Sequence, residues 1–73
     1  MKLRIMTPGG IRTEEGTQRH LVKIVKADLE GLGLSESSVR RHLYSLGVMV
    51  GGIGATNVMD DEGNLIAGYR ITR

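Results

Sequence analysis

Residues 27–46 read ADLEGLGLSESSVRRHLYSL, and this stretch decides the fold. Gly33 stands where a helix ends, because glycine enters the left-handed conformation that closes a C-terminus without strain. Ser35 follows as the side-chain cap of the next helix. Glu36 sits in that helix's first turn, where the dipole favours negative charge. Val39, Leu43 and Leu46 recur at i, i+4 and i+7 and so form one apolar seam. Ser37, Arg40, Arg41 and Tyr44 point away from that seam, and Gly47 ends the helix. The stretch predicts a tight turn feeding an amphipathic helix over residues 35–46.

Upstream, Lys2–Met6 alternates, with Leu3 and Ile5 on one side and Lys2 and Arg4 on the other, the period of a half-buried strand. Thr7-Pro8-Gly9-Gly10 reads as a type II turn, with proline at the first corner and glycine supplying positive φ at the second. Thr13 then reads as a helix N-cap followed by Glu14 and Glu15, with Thr17 as the second choice of cap. Gly16 weakens the earlier start by about 1 kcal/mol relative to alanine. Leu21, Ile24 and Val25 make an apolar stripe, opposed by Arg19, Lys23 and Lys26. Carrying this helix to Glu30 would set Asp28 beside Leu21 on the apolar face, and a lone buried carboxylate is costly. The sequence therefore predicts a break near Lys26-Ala27 and a short second helix over about 28–32, capped by Asp28.

Downstream, a hairpin is expected. Val48–Val50 and Ile53–Met59 form its outgoing arm, Asp61-Glu62-Gly63-Asn64 its turn. In the return arm Leu65, Ala67, Tyr69 and Ile71 alternate with Ile66, Gly68, Arg70 and Thr72. Gly51, Gly52 and Gly54 mark a bend or bulge in the outgoing arm.

At 73 residues the chain is expected to make one domain. It has no Phe and no Trp, so its core is aliphatic, with Tyr44 and Tyr69 as the available rings. Two rings are too few for binding single strands by base stacking. The absence of cysteine excludes disulfides, thiolate metal sites and thiol catalysis, and it suits a reducing, cytoplasmic setting. No apolar run approaches the ~20 residues of a membrane span. Charges interrupt the short apolar part of MKLRIMTPGG, so no signal peptide is expected. Of eight acids, three are Asp60, Asp61 and Glu62, which leaves five against ten Lys and Arg elsewhere. A basic body with an acidic hairpin tip follows.

The 27–46 stretch resembles the winged helix-turn-helix superfamily of bacterial DNA-binding regulators. The residues that carry the resemblance are Ala27, Leu29, Gly33, Leu34, Ser35, Ser38, Val39, Arg40, Arg41, His42 and Leu43. It implies an α+β fold with an N-terminal strand, two or three helices and a C-terminal β-hairpin wing. It also implies sequence-specific binding of double-stranded DNA through helix 35–46, by a small transcriptional regulator or a mobile-element accessory protein. Such modules bind as dimers on paired half-sites, so a homodimer is expected.

The DNA-binding candidates are Ser37, Ser38, Arg40, Arg41 and Tyr44. Arg40 and Arg41 can each present a fork to guanine or phosphate. The two serines, with the first-turn N–H groups, can bond phosphate oxygens, and Tyr44 can reach phosphate or a thymine methyl. Phosphate repels Asp60, Asp61 and Glu62, so the helix is expected to touch DNA and the wing tip is not. That tip instead supports a second reading, an adaptor that binds a protein partner. A third reading, an RNA-binding domain, rests on basic charge alone.

No catalytic residue, cofactor site or metal site is expected. His42 flanks the apolar seam as a structural histidine, and His20 is the only other possible imidazole ligand. Gly51-Gly52-Ile53-Gly54 is not followed by the helix that phosphate loops and KH-type loops require. Asp60, Asp61 and Glu62 are adjacent on a turn and lack the opposed geometry of catalytic carboxylates. Met49 and Met59 read as core filler.

Overall fold

The computed structural model describes residues 1–47 and 54–73. The elements in chain order are β1 (Lys2–Thr7), β2 (Gly10–Glu15), α1 (Gln18–Gly31), α2 (Glu36–Ser45), β3 (Gly54–Met59) and β4 (Leu65–Thr72). The four strands form one antiparallel sheet in the order β2-β1-β4-β3. The class is α+β, but two strands precede the helices, and the fold is not a winged helix-turn-helix. The predicted wing is the departure. β4 runs beside β1 from Lys2↔Thr72 to Met6↔Gly68 and buries Ala67, Tyr69 and Ile71. A strand that supplies that much apolar surface belongs inside the sheet, where it leaves water, and not on a projecting hairpin.

The second correction lies in residues 10–15. They form β2 and not the start of a helix. Pro8 and Gly9 connect Thr7 to its ladder partner Gly10, and the two strands pair through Lys2↔Glu15. The turn is not type II, because positive φ falls at Gly10 (140°) and not at Gly9. Pairing with β1 outweighs the helix preference of Glu14-Glu15. The ladder closes where the Gly16 N–H donates to the Met1 carbonyl at 3.1 Å. α1 then starts from Thr17, whose hydroxyl accepts the His20 N–H.

α1 is also continuous through Ala27, against the predicted break. Asp28 sits on the flank of its buried stripe. There it meets Arg12 of β2 at 3.5 Å, and its charge raises the pKa of the Tyr69 hydroxyl of β4. The carboxylate is paired, which removes the cost that argued for a break. Gly33 (φ 83°) and Gly47 (φ 79°) close the two helices in the left-handed region, and Ser35 caps α2 by accepting the Ser38 N–H.

The core lies between the helices and one face of the sheet. Leu3 and Ile5 of β1, Val58 of β3, and Ala67, Tyr69 and Ile71 of β4 meet Leu21, Val25 and Leu29 of α1 and Val39 and Leu46 at α2. Each fully buried Leu, Ile or Val side chain contributes roughly 1.5–3 kcal/mol. Met59 is not core filler, since it is exposed beside a bulge at Val58/Met59. The expectations for Val48–Val50, Met49, Gly51, Gly52 and Ile53 fall outside the described residues.

Candidate nucleic-acid interface

α2 presents the predicted contact residues as a surface. At 3.6 residues per turn, Ser37, Arg40, Arg41 and Tyr44 fall within an arc of roughly 100°. That arc lies opposite Val39 and Leu46, the residues that fasten the helix to the core. Ser37, Arg40 and Arg41 are exposed or nearly so along this arc, and Tyr44 keeps 70% of its accessible surface despite being one of two rings in the chain. A tyrosine so exposed adds nothing to the core.

The two arginines are engaged lightly. Arg40 Nη2 donates to Glu36 Oε1 at 3.4 Å, one turn back, in a pair whose side chains are 77% and 90% exposed. Exposed i, i+4 pairs are worth only about 0.3–0.5 kcal/mol, so a phosphate can displace this one. Arg41 Nη2 donates to the Ser38 hydroxyl at 3.1 Å.

Ser38 stands apart from the other four candidates. It is half-buried, its N–H donates to the Ser35 hydroxyl at 3.3 Å, and its own hydroxyl accepts from Arg41. It positions Arg41 and stands back from the outer surface. Ser37 is exposed, with its hydroxyl 3.3 Å from that of Ser35.

His42 is fixed from below. Its Nδ1 lies 2.7 Å from the hydroxyl of Thr56, a buried residue of β3. Burial, and then the neighbouring Arg41 charge, hold its pKa below the ordinary value of 6.5. This contact fastens α2 to the sheet and sets the direction in which the outer face points. Gly54 is a second such constraint. A Cβ there would come within 2.7–2.8 Å of the Ser45 and Leu46 backbone, so only glycine admits the end of α2 this close to β3.

The acidic hairpin tip divides in two. Asp60 accepts the N–H groups of Glu62 and Asn64 at 2.9 and 2.8 Å, and the Asn64 N–H foremost lowers its pKa. It builds the turn, while Asp61 and Glu62 remain exposed. Among the described residues, no group of three His, Asp or Glu side chains is placed to hold a metal ion. No described helix is long and apolar enough to cross a membrane. Two further arginines, Arg4 and Arg70, stand far apart in the sequence on separate strands, yet the sheet makes them direct neighbours.

Comparison of the chain with protein-family models, with curated proteins and with solved structures finds no match.

Proposed function

We propose that the chain binds double-stranded DNA through the outer face of α2, as a small cytoplasmic regulator or accessory protein without catalytic chemistry of its own. The observation that carries this reading is the exposed cluster of Ser37, Arg40, Arg41 and Tyr44 on a helix anchored by its opposite face. Arginine forks and a tyrosine hydroxyl supply the donors that phosphates and base edges require. The binding mode does not depend on a wing. An α-helix fits the major groove on any scaffold that presents it clear of neighbouring elements.

Arg40→Ala combined with Arg41→Ala tests the reading. The double variant keeps the seam and both caps, so it is expected to fold. Its affinity for duplex DNA is expected to fall at least tenfold. The slope of log-affinity against log-salt is expected to flatten by about one for each phosphate that an arginine no longer neutralises. An unchanged affinity refutes the assignment to α2.

A further inference from the structure

The sheet has a second face. Alternation places Leu3, Ile5, Tyr69 and Ile71 in the core, and therefore Lys2, Arg4, Arg70 and Thr72 on the opposite side. Arg4 and Arg70 are direct partners across the β1–β4 ladder. Thr13 of β2 is the partner of Arg4 on its other side, and Thr72 is the partner of Lys2. Lys2, Arg4, Thr13, Arg70 and Thr72 are all exposed and line one surface depression.

The charge there is unbalanced. Lys2 is paired with Glu15 at 3.8 Å. Among the described residues, no carboxylate forms an ion pair with Arg4 or Arg70. Like charges directly opposite on antiparallel strands repel and destabilise the pairing. β1 and β4 are the two inner strands, so the repulsion sits in the middle of the sheet. An anion held between the two guanidinium groups relieves it. Phosphate suits the site best, because its oxygens match the guanidinium fork and the flanking threonines add hydroxyl donors.

The shape of the surface identifies the source of that phosphate. Every residue that lines the depression is exposed, so water competes for a small anion there, whereas a polyanion gains from releasing its condensed counterions. Tyr69 lies on the core side and Tyr44 on α2, so bases find no ring to stack on. Contact is through the backbone and is indifferent to sequence. We propose that the uncovered face of the sheet binds the phosphodiester backbone of a nucleic acid, with Arg4 and Arg70 clamping one phosphate. This goes beyond the reading of α2, because α2 packs on the core side and the two surfaces point in opposite directions. Each engages its own segment of nucleic acid.

The test is Arg4→Gln combined with Arg70→Gln, measured by fluorescence anisotropy with a duplex of arbitrary sequence. Affinity is expected to fall at least fivefold and the salt slope to flatten by about one. Without nucleic acid the variant is expected to melt no lower than the parent, because a repulsion has been removed. Should the double variant fail to fold, Arg70→Gln alone carries the test, with at least a twofold loss expected. Unchanged duplex affinity overturns the proposal, as does a parent chain that does not bind the duplex. Arg40→Ala with Arg41→Ala, measured alongside, separates the two surfaces. Loss only there overturns this proposal and leaves α2 standing, whereas loss only at Arg4 and Arg70 does the reverse.

Discussion

Arg12 of β2 reaches Asp28 of α1, with Nη2 3.5 Å from Oδ2, and so ties the first hairpin to the first helix. The same carboxylate acts on the hydroxyl of Tyr69 and raises its pKa, and the Tyr69 side chain is buried in the core. Three elements converge on one aspartate, and the helix passes through it without a break.

Asp28→Ala is expected to destabilise the chain by about 1–3 kcal/mol, because it removes the carboxylate that pairs with Arg12 and acts on the Tyr69 hydroxyl. Arg12→Ala is expected to cost less than about 1 kcal/mol, since its side chain is half-exposed and the pair is screened by water. Urea denaturation of both variants measures the difference. Equal losses would show that the ion pair, and not the tyrosine, gives Asp28 its weight.

Tyr69 carries a pH dependence of its own. Burial, and then the Asp28 charge, push its pKa up to about 12. The folded value lies above the unfolded one of about 10, so the protonated ring favours folding. That stability is full below about pH 10 and is lost as pH rises towards about 12. In a Tyr44→Phe variant the tyrosinate absorbance reports Tyr69 alone, and its midpoint is expected near 12. A midpoint near 10 in the folded protein contradicts the burial of this ring.

His42 acts on the acid side. Its folded pKa lies below 6.5, so the neutral ring favours folding. Its contribution is full above about pH 6.5 and is lost as pH falls through the folded value. Proton resonances of the imidazole are expected to titrate below the ordinary midpoint. Arg41→Ala is expected to move that midpoint upward, because one of its two causes is removed. No movement in the variant would place Arg41 away from the ring.

Gly54→Ala is expected to destabilise by about 1–3 kcal/mol, the usual cost of forcing a group into a filled space. The new methyl meets the backbone of Ser45 and Leu46, which cannot swing aside as a side chain would. Thermal melting checks it. An unchanged melting temperature would mean that α2 does not close on β3 at Gly54.

Local signals in the chain are legible where they answer to neighbours in sequence. Ser35, Gly33 and Gly47 bound α2 where capping chemistry puts them, and the seam of Val39, Leu43 and Leu46 faces inward. The alternations of Lys2–Met6 and of 65–72 are equally plain. What fails is anything that depends on a partner far along the chain. Thr13-Glu14-Glu15 carries the local marks of a helix start, and only pairing with β1 makes it a strand. Asp28 reads as a helix breaker until Arg12 and Tyr69 arrive beside it. β4 reads as a projecting arm until β1 lies next to it. The outer face of α2 is visible in the sequence, whereas the pairing of Arg4 with Arg70 joins opposite ends of the chain and leaves no local trace.

DNA binding through α2 is tested most directly by an NMR titration of the nitrogen-labelled chain with a short DNA duplex. The amide resonances of residues 36–45 are expected to shift most, with the Arg40, Arg41 and Tyr44 signals leading and the Asp61 and Glu62 signals at the hairpin tip unmoved. Resonances of α2 that stay in place while the duplex binds elsewhere, or a spectrum unchanged at saturating DNA, would contradict it.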